Sequence, residues 1–347
     1  MKTSKIKNIL GLILIVALLA YFLLTYNFRE VFSALARINY IFIIPLLFLE
    51  TMIAYLRASR LSFIIDPIKK IKASQLFPIY CIGMMTNLLM PFLTGQGARI
   101  YLLSKKSQLK KTFFATTTIL EFLFDAFTLL GLVLIISLFK VMPGDFSPWH
   151  FPVVTLILIF VYILLVAISK SNISSGGIFE RAISKLPAKL ARKISDAHLS
   201  IVSALQTLKS TKHFLLVTAL SILSWLFQAV MVYLLILAFG LQISIWGAVF
   251  ITVVITIMMT IVIAPVNIGT FQAATVAALH LYNIAKSEAL AFSFILHIAV
   301  YMPPVILGAV YSIKEGLSFK QLEDESEAGM RALESNVLSV KQDNSQL

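Results

Sequence analysis

Charged residues are scarce in this sequence: Asp, Glu, Lys and Arg together make up 13% of its 347 positions, about half the share carried by an ordinary soluble domain. That scarcity excludes most soluble enzyme folds and any secreted scaffold. Cysteine is rarer still. The lone Cys81 cannot build a disulfide framework or a cysteine-ligated metal cluster. The five histidines are scattered, with none at metal-ligand spacing from another. No His-Glu-x-x-His, phosphate-binding loop or nucleophile elbow occurs. The sequence therefore predicts no metal, no cofactor and no catalytic constellation.

What the chain has instead is apolar length. Hydrophobic residues make up 59% of it and the mean hydropathy is +0.92. They fall in runs of about twenty, enough to cross a hydrocarbon core of about 30 Å. The fold class that follows is an all-α polytopic membrane protein. Six full spans are predicted, at about 6–26, 38–60, 112–138, 151–169, 213–239 and 289–313. Two further apolar stretches, 74–95 and 243–283, are each interrupted by Pro and Gly. Lys2, Lys5 and Lys7 precede the first run as they would in a signal peptide. That run is long and lacks a small-x-small cleavage site, so it is predicted to stay as an anchor. Residues 1–313 are expected to form one transmembrane domain.

The 29 Lys and Arg outnumber the 16 Asp and Glu, a balance that in a soluble chain would suggest nucleic acid. Here the cations sit between apolar runs, so they report topology and no nucleic-acid partner is expected. Three lie at the N-terminus, five in 57–72 (Arg57, Arg60, Lys69, Lys70 and Lys72), five in 99–111, eight in 170–212 and four from Lys314 onward. These segments, and with them both termini, belong on the cytoplasmic side of the cell membrane. On that count no basic residue stays deep inside a span. A full crossing by 74–95 would carry the cations of 99–111 to the outside. A re-entrant hairpin dipping in from the cytoplasm avoids this, and 243–283 would dip in from the outside by the same logic. The alternative is eight or more complete crossings, because 244–264 is long enough to span.

The two interrupted stretches also resemble each other. Asn87-Leu-Leu-Met-Pro91-Phe-Leu-Thr-Gly95 matches Ile261-Val-Ile-Ala-Pro265-Val-Asn-Ile-Gly269 in its Pro-x-x-x-Gly break. Further on, Glu121, Asp125 and Gly131 match His297, Tyr301 and Gly308, at offsets of 174–177 residues throughout. With opposite topologies the units 38–138 and 213–313 make an inverted repeat with broken helices. That pattern marks transporters, whose site lies near mid-membrane between the halves. Pro and Gly are common in membrane helices, so a single Pro-x-x-x-Gly match would mean little.

Only Glu50, Glu121 and Asp125 among the acids fall within predicted spans. An intramembrane carboxylate is costly and calls for a partner or a function. Glu121 and Asp125 are four apart, on one face of a helix, and Arg99 at the end of the first hairpin is their natural cationic partner. The trio would be either a structural clasp holding the hairpin or a site whose arginine meets an anionic lipid headgroup. Backbone freed at Pro91, Gly95, Pro265 and Gly269 must face protein or a wet cavity, and helix ends there offer N–H groups to a phosphate. Asn87 and Gln272 add side-chain amides, and His297 and Tyr301 complete the candidate substrate-binding set. In 179–208 apolar residues recur at helical spacing with Lys and Arg between them. This predicts an amphipathic cytoplasmic connection over 170–212, lying on the inner leaflet or packed on the bundle. The acidic tail 314–347 is expected to be disordered.

These residues resemble the membrane, flippase-type region of lysylphosphatidylglycerol synthetases and their stand-alone relatives, from about residue 10 to 315. The resemblance is carried by Arg57 and Arg60, by Asn87, Pro91, Gly95 and Arg99, and by Glu121 with Asp125. It continues through Pro265 with Gly269, then His297, Tyr301, Pro303 and Gly308. Phe122 and His297 stand where the family pattern has arginine, so an identical headgroup charge requirement does not carry over. The cytoplasmic aminoacyl-transferase domain of the full-length synthetases has no counterpart in these 347 residues. The resemblance thus implies lipid handling without tRNA-dependent aminoacylation.

Three functions compete. The first is a lipid flippase or transporter holding an anionic or amphipathic headgroup, from a membrane phospholipid or a polyprenyl-type lipid, in a mid-membrane cavity. The second is a non-catalytic membrane partner of a lipid or glycan biosynthetic enzyme. The third is an intramembrane lipid-modifying enzyme with Glu121 or Asp125 as general base, against which the lack of a nucleophile or metal constellation weighs. A homo-oligomer is compatible with each.

Overall fold

A computed structural model describes residues 27–89, 94–138, 156, 211–261, 269–318, 320–322 and 324. The predicted spans 6–26 and 151–169, nearly all of the connection 170–212, the tail beyond 324, and Pro91 and Pro265 lie outside the described residues. Among the described residues the regular structure is helical throughout.

A short helix, α1 (Phe28–Ala36), opens the described chain, and the Asn27 side chain accepts from the Arg29 N–H to cap it. A 3-10 turn at Tyr40–Phe42, capped in the same way by Asn39, leads into α2 (Ile43–Ile65, 23 residues). There follow α3 (Ala73–Leu89, 17 residues), α4 (Thr94–Ser107, 14 residues) and α5 (Lys111–Leu138, 28 residues). The second half contains α6 (Thr211–Ala238, 28 residues), α7 (Ile245–Ile261, 17 residues), α8 (Thr270–His280, 11 residues) and α9 (Lys286–Lys314, 29 residues).

Four helical stretches are long and apolar enough to cross a membrane: Tyr40–Ile65, Lys111–Ile136, Lys212–Ala238 and Lys286–Lys314. They coincide with four of the six predicted spans. Helices α3, α4, α7 and α8 are shorter over the described residues: at 1.5 Å per residue the 17-residue ones extend about 26 Å. The protein is a multi-pass membrane protein whose described residues are helical, with four long helices and two pairs of shorter ones among them.

The two halves pack alike. In the first, α2 lies on α3, α3 on α4 and α4 on α5; in the second, α6 lies on α7, α7 on α8 and α8 on α9. Between halves α2 packs on α6, α3 on α9 and α7 on α5. Hydrogen bonds fix which turns share an end. The Lys69 ammonium donates to the Ser107 carbonyl at 2.6 Å, tying the turn before α3 to the turn after α4. At the other end Asn39 N–H donates to the Ala238 carbonyl at 3.1 Å, and the Ser287 hydroxyl donates to Glu30 at 2.8 Å. The turns flanking α3–α4 thus lie at one end of the bundle, with Lys69, Lys70, Lys72, Lys105, Lys106, Lys110 and Lys111. The turns flanking α7–α8 lie at the other.

Close helix contacts rest on glycine. A Cβ on Gly95 would overlap the Gly83 carbonyl and the Asn87 side chain, so α3 and α4 touch backbone to backbone. A Cβ on Gly308 would stand 2.5 Å from the Cys81 carbonyl oxygen, which brings α9 onto α3. Gly131, the sequence counterpart of Gly308, has nothing within 4 Å of that position, so the α5–α7 contact does not use it in the same way.

The sequence ended the second span at residue 60 and counted Arg57 and Arg60 with the cytoplasmic cations, and the structure carries the helix further. Helix α2 runs on to Ile65, Arg60 is 2% exposed and Arg57 is half-buried. The arginines do not end the helix because carboxylates and aromatic rings inside the bundle receive them.

Candidate functional site

Beside the break between α3 and α4 lies a cavity of about 100 Å³, room for roughly three waters at about 30 Å³ each. Arg57 and Arg60 come to its wall from α2, Tyr80, Gly83, Met84 and Asn87 from α3, Gly95, Gln96 and Arg99 from α4, and Glu121, Phe122 and Asp125 from α5. The hairpin brings its two arms together at Gly83 and Gly95, which seats Arg99 against α3 and aims it at α5.

The walls carry a network of charge. Arg99, 7% exposed, forms an ion pair and hydrogen bond with Glu121, 3% exposed. Arg60 meets Asp125 through both forks, Nη1 to Oδ1 at 2.5 Å and Nη2 to Oδ2 at 3.1 Å, and stands 3.6 Å from Glu121. The same Nη1 donates to the Ser221 hydroxyl at 3.0 Å, and the Trp225 indole N–H donates to Asp125 at 3.0 Å. Helix α6 therefore closes the network from behind. Bidentate guanidinium–carboxylate bonding supplies both charge and geometry, which allows such groups to stay buried.

Arg57 donates to the Tyr80 hydroxyl at 3.2 Å and lies 5.6 Å from the Trp225 ring centroid. Arg99 lies at the same 5.6 Å from the Tyr80 ring. The Nε atoms of Arg57, Arg60 and Arg99 are all buried without a hydrogen-bond partner. Buried donors without a partner are unusual in a packed interior.

Of the seven substrate-binding candidates, Asn87, Arg99, Glu121 and Asp125 line this cavity. Gln272, His297 and Tyr301 do not; they gather at the α8–α9 contact. There Gln272 accepts from the Gly269 N–H at 2.7 Å and its amide nitrogen lies 3.2 Å from His297 Nδ1. Gly269 has φ +87°, a conformation suited to glycine. The His297 ring stands 4.7 Å from that of Tyr301 and 4.9 Å from that of Phe271. Arg99 with Glu121 and Gln272 with His297 thus make corresponding contacts, from the second arm of a hairpin to the long helix after it, one pair charged and one neutral.

Asp125 is bonded to Arg60 rather than to Arg99. The sequence did not single out Arg60, Ser221 or Trp225 as site residues. Two signals were present: Arg57 and Arg60 are three apart at the end of an uninterrupted apolar run, hence near one helix face, and Trp225 is a polar-tipped ring in mid-span.

Relatives of this chain are membrane proteins. A UPF0104 membrane protein of Methanocaldococcus jannaschii is 22% identical over 88% of this chain and 93% of its own length. A second from that organism is 24% identical over 65% of this chain and 92% of its own. One from Methanothermobacter thermautotrophicus is 25% identical over 76% and 82%. No solved structure matches. With residues 8–308 matching the family described as the lysylphosphatidylglycerol synthase TM region, the chain belongs to that family.

Proposed function

We propose that this protein is a lipid flippase or transporter of the cell membrane, with both termini in the cytoplasm. In this reading the anionic or amphipathic headgroup of a membrane phospholipid or polyprenyl-type lipid enters the cavity at Arg57, Arg60 and Arg99, and its tails stay in the bilayer. The two short helix pairs are re-entrant hairpins, and the halves form an inverted repeat. Three features support that architecture: two pairs of helices short over the described residues, flanking turns at opposite ends, and matched packing within each half. The lysines at the α3–α4 end support a cytoplasmic position for it. Transport follows when the halves rock about α2 and α6 and open the site to either leaflet.

The observation that carries the reading is the cavity itself, lined by three arginines and two carboxylates beside the α3–α4 hairpin. Proteoliposomes holding headgroup-labelled lipids test it. Transbilayer movement is expected for at least one anionic lipid, and a large loss of rate in Arg99→Ala and Glu121→Gln proteins that still unfold cooperatively. Movement indifferent to both substitutions would remove the cavity from the mechanism. No movement of any labelled lipid, with stable co-purification of a glycosyltransferase, would favour an accessory subunit instead.

A further inference from the structure

We infer that the acidic segment 323–327 of this chain docks in a lysine-lined cleft at the turn between α4 and α5. The inference is independent of what the buried cavity binds. The path of the chain beyond α9 leads there. Gly316, at φ +65°, ends α9, and the Leu317 N–H closes the helix on the Ser312 carbonyl at 2.9 Å. Glu315 stands 3.8 Å from Lys106 at the end of α4. Ser318 and Gln321 then cap a new helical turn reciprocally: the Ser318 N–H donates to Gln321 Oε1 at 3.0 Å and the Gln321 N–H to Ser318 Oγ at 3.2 Å. Leu322, one residue on, is 2% exposed and belongs to the apolar cluster that holds Leu102 and Leu103 of α4 with Phe114 and Ala115 of α5. Glu323, Asp324, Glu325 and Glu327 follow at once, with no cation before Arg331, and Asp324 is exposed. The acidic run is thus delivered to the α4–α5 end of the bundle.

At that end a cleft of about 400 Å³ has Tyr101, Lys105, Lys110 and Lys111 on its walls. A bonded turn fixes its shape. The Ser104 hydroxyl donates to the Leu109 carbonyl at 2.6 Å, the Ser107 hydroxyl accepts from the Leu109 N–H at 3.2 Å, and Gln108 takes φ +60°. Two ammonium groups gather at one ring, Lys111 Nζ 4.9 Å and Lys105 Nζ 6.0 Å from the Tyr101 centroid. Lys105 and Lys110 form no ion pair among the described residues. Like charges held this close repel one another, and an anionic segment relieves the repulsion. The run 323–327 carries four carboxylates within five residues. Each exposed pair contributes little alone, but an occupant on the same chain is present at an effective concentration on the order of millimolar. Leu322 and the Glu315–Lys106 contact hold its near end. Anionic lipid headgroups, the competing occupant, have neither hold. Once docked, the segment screens these lysines from such headgroups.

The full-length protein carrying Cys81→Ser, Lys110→Cys and Ser326→Cys, treated with a short bismaleimide in nonionic detergent at low ionic strength, tests this. Lys105, Lys106, Lys111 and the four acids all remain in it. A link within one chain is expected, formed about fivefold or more faster than in the same protein with Glu323, Glu325 and Glu327 changed to Gln and Asp324 to Asn. Salt at about 1 M, where charges are screened beyond about 3 Å, should remove that advantage. Lys105→Glu with Lys111→Glu should remove it too, and changing all four tail acids to Lys in that background should restore it. A linking rate indifferent to salt and to the neutral tail would overturn the inference, because chance collision of a tethered tail needs no charge. Links between chains at high dilution would assign the cleft to a second copy and overturn docking within the chain. Loss of the link in proteoliposomes of phosphatidylglycerol, with retention in phosphatidylcholine, would give the cleft to lipid and overturn it as well.

Discussion

A guanidinium taken out of water inside a helical bundle persists only if its charge is met, and Arg60 meets that condition through Asp125, Glu121 and Ser221. Removing one partner of such a buried pair leaves the other uncompensated, at about 3–5 kcal/mol. Asp125→Ala is therefore expected to lower the unfolding temperature in detergent sharply. The Arg60→Ala, Asp125→Ala double variant should lose less than the sum of the two single losses, because the second substitution removes the stranded charge. Arg57 differs: it has a neutral hydrogen-bond partner and an aromatic neighbour, so Arg57→Ala strands no carboxylate and should cost about 1.5–3 kcal/mol, less than Asp125→Ala, while reducing lipid binding. Thermal unfolding and lipid titration on the same preparations separate the two arginines. The Arg99–Glu121 contact was legible in the sequence because a short hairpin carries one to the other. Arg60 and Asp125 are 65 residues apart on helices not joined in sequence, so their pairing was not legible.

At the scale of elements, the hairpin α3–α4 depends on backbone approaching backbone at Gly83 and Gly95. Gly95→Ala inserts a methyl group where the Gly83 carbonyl and Asn87 already stand, and overpacking of this kind costs about 1–3 kcal/mol. Gly131→Ala, in open space, should stay within about 0.5 kcal/mol of wild type. Thermal unfolding of the pair in one detergent checks both; equal loss at the two positions would contradict the close α3–α4 contact. The long helices were legible because their apolar runs exceed what a bilayer requires, and α3, α4, α7 and α8 because Pro and Gly divide theirs. The end of α2 was misread, since arginine in an apolar run signals a loop until the acid that receives it is known.

Across the whole molecule the proposed topology makes a definite statement about sides. In a Cys81→Ser background, a membrane-impermeant thiol reagent should label Lys106→Cys only from the cytoplasmic side and Lys286→Cys only from the opposite side. Labelling of both from one side would refute the oppositely inserted hairpins. The lysines at the α3–α4 end and the matched packing of the halves point to the same arrangement. The halves differ in chemistry at corresponding places, Arg99 with Glu121 in one and Gln272 with His297 in the other. Among the described residues the cavity wall comes from the first half, and α6 of the second half joins its charge network through Ser221 and Trp225.

The sequence by itself determined the membrane, the helical class, the four long described helices, the two interrupted stretches and the excess of cations between apolar runs. Each of these follows from local hydropathy, chain length or charge position, which need no knowledge of the partner. The tertiary structure decided which charges are neutralised. Only packing brings Arg60 to Asp125, sets Trp225 and Tyr80 around Arg57, and keeps Gln272, His297 and Tyr301 off the cavity wall. Electrostatic pairing depends on distances of a few ångströms between helices, and those distances are properties of the assembled bundle.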